Sequence, residues 1–173
     1  MPQPDDTEAA ASRDRGGELP ERSRLVAEAL AGAGAEGRVR ELPASTRTAA
    51  EAAAALGCEV GAIANSLVFM ADGAPLLVMT SGAHKVDTGA LAGRVGVDKV
   101  QRATPDQVRA ATGQVIGGVA PVGHPAPLRT VVDVALAGYP EIWAAAGTPH
   151  TVFRTTYAQL VRITAGTELS VEA

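Results

Sequence analysis

Two apolar segments, Ser66-Leu-Val-Phe-Met70 and Pro75-Leu-Leu-Val-Met79, flank Ala71-Asp72-Gly73-Ala74. Asp-Gly between β-forming runs marks a tight hairpin, because both central positions of such a turn need a positive φ that these residues accept. Both arms are apolar throughout, with no polar residue alternating on one face, so they are expected to lie centrally in a sheet.

The flanking segments read as helices and further strands. Glu21 to about Ala35 suits a first helix with Leu25, Ala29 and Leu30 on its inward stripe, ending in the glycines around Gly32 to Gly37. Residues 38–42 alternate and suit a short strand leading to Pro43. Thr48-Ala-Ala-Glu51 is a capping box in which hydroxyl and carboxylate each satisfy a backbone donor, and Gly57 closes that helix. Asp87 or Thr88 can cap a helix running to about Val95. Thr104-Pro-Asp-Gln107 is a second capping box with proline at the first helical position, for a helix ending near Thr112-Gly113. Strands follow around Arg129 to Val132, Glu141 to Ala146 and His150 to Arg154, and a last helix starts at about Thr156. Helices and strands alternate irregularly, which favours a mixed α/β sheet over a purely parallel one.

Composition narrows the functional classes. A chain of 173 residues with 46% hydrophobic residues is one domain of ordinary size with a real core. Residues 1–20 mix charge, Gly and Pro without periodicity and read as a disordered acidic tail, leaving 21–173 as the folded domain. No apolar run approaches a membrane span, and the opening MPQPDDTEAA lacks the pattern of a signal peptide, so a cytoplasmic location is expected, with no membrane partner. The lone Cys58 excludes an internal disulfide. Of the net charge of -4, most lies in the first 22 residues, and only five aromatic residues are present. A near-neutral body gives no footprint for tight binding to DNA and leaves room only for a local contact with RNA.

The stretch from Gly113 through Gly117-Gly118-Val-Ala-Pro121-Val-Gly123-His124 is the strongest place for chemistry. Adjacent glycines let backbone approach a ligand and let N–H groups converge, as a developing oxyanion requires. On spacing alone, a glycine-rich connector with a locally bonded His124 explains the same residues. Lys85 follows a strand end, where open sheets place ligands, and a solvated lysine is the alternative. P-loop, GxGxxG, GxSxG and HExxH patterns are all missing, and His84, His124 and His150 stand far apart in the chain, as histidines with unrelated roles do.

Three ordered segments resemble the YbaK and bacterial prolyl-tRNA synthetase editing-domain family. They are Thr48–Glu51 through Leu56-Gly57 to Asn65-Ser66-Leu-Val-Phe69; Ser81-Gly-Ala-His-Lys85-Val-Asp87; and Thr112-Gly113 through Gly117-Gly118 to Pro121-Val-Gly123, followed by Ala145-Ala146-Gly147. The resemblance spans roughly residues 25–165. It implies a single compact α/β domain with a curved, mixed, mostly antiparallel sheet surrounded by helices. It also implies metal-free, cofactor-free hydrolysis of the ester at the 3′ end of a mischarged tRNA, with the terminal tRNA hydroxyl helping to activate water. An aminoacyl-tRNA synthetase is a candidate partner. Carried onto this chain, Gly117, Gly118 and Gly123 would frame the oxyanion and His124 would orient substrate or water. Asn65, Ser66, Lys85, Pro121, Ala146 and Gly147 would line the substrate. Asn65 stands where many relatives carry a lysine, so a binding module that has lost turnover is the alternative reading, and a hydrolase of another small acyl ester is a third.

Overall fold

The computed structural model describes residues 19–35, 38–46 and 48–173, and among these residues five α-helices and eight strands alternate. Helices α1 (Glu21–Gly32), α2 (Ala49–Leu56), α3 (Thr88–Val95), α4 (Pro105–Thr112) and α5 (Tyr157–Thr164) punctuate the strands. These are β1 (Val39–Glu41), β2 (Ile63–Ala71), β3 (Ala74–Ser81), β4 (Val100–Arg102), β5 (Arg129–Asp133), β6 (Ile142–Ala145), β7 (Thr151–Thr155) and β8 (Thr167–Leu169). The sheet runs β1-β7-β6-β2-β3-β5-β8, with β4 on β2 beside β6. Pairs β1/β7, β6/β7, β2/β3 and β2/β4 are antiparallel, and β2/β6, β3/β5 and β5/β8 are parallel. The expected tail falls outside the described residues as far as residue 18; Leu19 is buried in the core and Pro20 precedes α1.

The hairpin is central, as its composition demands. Asp72 (φ 49°) and Gly73 (φ 83°) form its two-residue turn. The Asp72 carboxylate accepts the N–H groups of Asp98 (3.0 Å) and Lys99 (2.9 Å), which holds its pKa below the usual range. Successive side chains of the arms point to opposite faces, and both faces are covered. Leu77 and Met79 join Val26, Leu30, Val108 and Leu160, from α1, α4 and α5. Leu76 and Val78 join Leu91, Ala92 and Val95 of α3 on the other face, together with Val171. A smaller cluster of Leu42, Ala52 and Val152 seats α2.

Three local expectations change. On α1 the inward residues are Ser23, Val26 and Leu30, while Leu25 is 56% exposed. The buried Ser23–Thr151 hydroxyl bond of 2.9 Å lies on this inward face. At α2 the Thr48 hydroxyl accepts the Glu51 N–H, but the Glu51 carboxylate meets that hydroxyl at 3.2 Å instead of reaching the Thr48 N–H, so only half of the box forms. The α4 box is complete in both directions. Strands β4 and β8, three residues each, were too short to show periodicity. After β8, Val171 is fully buried, and the Arg94 guanidinium donates to the carbonyls of Ser170 (2.9 Å) and Glu172.

Candidate functional site

The glycine-rich segment leaves α4 through Gly113, whose φ of 71° ends the helix. The Thr112 hydroxyl donates to the Val108 carbonyl (2.7 Å) and accepts the Gln114 N–H (3.0 Å), anchoring the first loop residue to the helix. A turn over Val115–Gly118 is closed by the Gly118 N–H on the Val115 carbonyl at 3.1 Å, with Gly117 at φ 89°. Ile116 and Gly117 form its exposed tip. The N–H groups of Gly117 and Val119 have no acceptor among the described residues.

Gly118 is glycine for a packing reason. A Cβ there would lie 2.4 Å from the Thr148 carbonyl carbon and 2.7 Å from the Pro149 nitrogen. Its carbonyl accepts the Gly147 N–H at 2.9 Å, and Gly147 has φ 102°. The loop is thereby joined, backbone to backbone, to the turn between β6 and β7.

This junction sits at a break in the sheet. Strand β6 pairs with β2 at Ile63 and Ala64, and β4 pairs with it at Phe69 to Ala71. Residues 65–67 of β2 therefore have no strand partner on that edge among the described residues. The parallel register ends at Ala64 and Ala144, and beyond it the Gly147 N–H turns to Gly118 instead of continuing the ladder. The Gly147–Gly118 bond brings Gly117 and Gly118 to Ala146 and Gly147, while Asn65 and Ser66 stand on the stretch of β2 left without a strand partner on that edge. Asn65 is exposed. The Ser66 side chain is buried, its hydroxyl directed to Met79 Sδ at 3.2 Å, so its backbone is what faces the break.

The other expected residues lie on the loop's far limb and in the loop after β3. His124 donates from Nε2 to the Ala120 carbonyl at 2.8 Å, which leaves Nδ1 as the unprotonated nitrogen, and burial lowers its pKa. Pro121 is buried behind the loop, and Gly123, at φ 82°, would set a Cβ near Val26 and Ala29 of α1. Lys85 follows a strand end, as expected: β3 ends at Ser81, and Lys85 lies exposed in the following loop without a hydrogen bond or ion pair to a described residue. Cys58 is half-buried, and burial pushes its thiol up.

Two polar arrangements were not read from the sequence. The buried Gln114 amide accepts the Ala120 N–H at 2.6 Å and donates to the Val122 carbonyl at 3.2 Å. At the ends of β3 and β5, the buried Asp133 carboxylate accepts the N–H groups of Ser81 and Ala135 (3.0 Å each) and meets His84 Nδ1 at 3.0 Å. His84 Nε2 lies 3.3 Å from Glu172. Among the described residues no group of three His, Cys, Asp or Glu gathers to hold a metal, and no helix is long and apolar enough to cross a membrane.

A model of the aminoacyl-tRNA editing domain matches residues 43–163. A solved structure described as a candidate trans-editing enzyme for prolyl tRNA synthetase is 44% identical, with a TM-score of 0.86 over 90% of this chain and 99% of that one. A second, of a hypothetical protein, is 27% identical with a TM-score of 0.77 over 85% and 98% of the two chains. The proline–tRNA ligase of Nitratidesulfovibrio vulgaris (strain DP4) is 34% identical over 76 residues, 44% of this chain and 13% of the ligase. The chain thus spans a small part of that relative's length.

Proposed function

The chain belongs to the aminoacyl-tRNA editing domain family, and from that premise we propose that it is a deacylase acting in trans on the 3′ end of a mischarged tRNA. The observation that carries this reading is the tight turn at the sheet break, where the N–H groups of Gly117 and Val119 have no acceptor among the described residues. Two such donors suit a carbonyl oxygen as it becomes an oxyanion. Water adds to the ester carbonyl carbon, the bond from that carbon to the ribose oxygen breaks, and the ribose oxygen takes up a proton. The products are a free amino acid and an uncharged tRNA.

In this scheme Gly118 sets the turn's shape, since its own N–H is committed to Val115. The small Ala146 and Gly147 wall the break and favour a small aminoacyl group. His124 keeps Nδ1 as an acceptor for water, its neutral form favoured by burial. Asn65 and the Ser66 backbone line the substrate from β2. Trans action is supported by the description of the 44%-identical relative. The scheme calls on no metal.

The test is a deacylation time course with tRNA charged separately with alanine, cysteine, serine and proline, with and without chelator. Selective, chelator-insensitive loss of one ester is expected. Failure to hydrolyse any of them overturns the reading. One residue favours a second reading: Asn65, at the position where the family resemblance implies a lysine, suits a module that binds the aminoacyl-adenosine end without turnover. Tight binding of a non-hydrolysable aminoacyl-adenosine analogue without ester loss would select it.

A further inference from the structure

Both backbone polar groups of Ala120 are held by side chains: its N–H by Gln114 Oε1 and its carbonyl by His124 Nε2. The same Gln114 amide donates to the carbonyl of Val122. Gln114 is 4% exposed, and its main chain is fixed to the end of α4 through Thr112. One buried amide therefore spans the loop from its first residue to its far limb, across the Gly117-Gly118 turn.

We propose that Gln114 is a positioning residue for the deacylation reaction; this rests on the functional reading above. It touches no substrate. Its amide fixes the separation of the two loop limbs, and with it the direction of the Gly117 and Val119 N–H groups. A glycine-rich backbone has many accessible conformations, so the turn needs such a brace if its donors are to be aimed before substrate arrives. Only a group that accepts on one side and donates on the other satisfies both limbs. An isosteric apolar side chain satisfies neither. A carboxylate accepts from Ala120 but opposes the Val122 carbonyl, whereas a protonated carboxyl both accepts and donates.

The experiment compares wild type with Gln114→Met and Gln114→Glu. Its first readout is hydrogen exchange at the Ala120 amide, which needs no activity. Exchange should be slow in wild type and accelerated at least about tenfold in Gln114→Met, because the acceptor is gone. The second readout is steady-state deacylation of the charged tRNA, among the four tested above, that wild type hydrolyses. Gln114→Met should lower kcat about tenfold or more with KM changed less than about twofold, as expected for misplaced transition-state donors. Gln114→Glu should recover kcat relative to wild type as pH falls, because burial raises the carboxyl's pKa and its protonated form restores the donor. That recovery also serves if Gln114→Met fails to fold. Unchanged Ala120 exchange in a folded Gln114→Met protein overturns the proposal, as does a loss confined to KM or a Gln114→Glu pH profile parallel to wild type. A wild-type protein with a protected Ala120 amide and no deacylation overturns the functional reading and, with it, this role for Gln114.

Discussion

The N–H of Gly147 donates to the carbonyl of Gly118 at 2.9 Å, across 29 residues of sequence. That bond joins two turns at positions where a side chain is excluded, by backbone contact at Gly118 and by a φ of 102° at Gly147. The candidate site is built on this junction, so substitutions around it should separate packing from chemistry.

Gly118→Ala should be the costlier of two neighbouring changes. Its Cβ would overlap the Thr148 and Pro149 backbone, which cannot swing aside, and overpacking of this kind costs about 2–3 kcal/mol. Gly117→Ala meets nothing closer than 3.9 Å and suffers only from its positive φ, a strain on the order of 1 kcal/mol. Thermal melting should show a drop of roughly 5–10 °C for the first and about half that or less for the second. The reverse order would refute the close-packing account.

The exposure of Leu25 and the burial of Leu30 give α1 a clear polarity. Leu30→Ala should destabilise by about 2–5 kcal/mol through lost burial and a cavity. Leu25→Ala should stay within about 0.5 kcal/mol of wild type. Urea denaturation of the two variants measures both.

His124 should make the fold acid-sensitive. Burial lowers its folded pKa below the unfolded value, so between the two the unfolded chain binds more protons and stability rises with pH. The contribution is present above the unfolded pKa of about 6.5 and is lost as pH falls below it. His124→Gln should therefore lose less stability than wild type between about pH 7 and about pH 5 in urea melts. Parallel losses would place the sensitivity elsewhere.

Asn65→Lys tests the chemistry of the sheet break. If the pocket is intact, an ammonium at this exposed position adds a charge-assisted donor and should raise the deacylation rate about tenfold. A folded Asn65→Lys protein with an unchanged rate would show that this position does not face the reacting ester.

Local chemistry was legible where the cause is local. Asp72-Gly73 announced its turn, and Thr104 with Gln107 announced a complete cap, because each feature acts over two to four residues. Glu51 followed the same pattern and formed half of it, since the Thr48 hydroxyl is an equally near partner for its carboxylate. The face of α1 was read correctly at Leu30 and wrongly at Leu25, since its inward side also carries Ser23, whose partner Thr151 lies 128 residues away. The glycine loop stood out by composition, but its brace did not: a glutamine beside a glycine carries no mark of a donor six residues away. Lys85 was read as following a strand end, and β3 does stop before it, at Ser81, where Asp133, distant in sequence, takes over that residue's N–H. The gathering at the break was not readable either, since it depends on where β6 and β4 stop along β2.

The three residues of β8 shield the outer edge of β5, and Arg94 and the buried Val171 hold the segment after it in place. A chain trimmed before Thr167 would leave the carbonyls and N–H groups of β5, flanked by the apolar Val131 and Val132, as an open template for another molecule's strand. The last seven residues thus act as a guard against self-association, and an affinity tag or fusion is better placed at the other terminus.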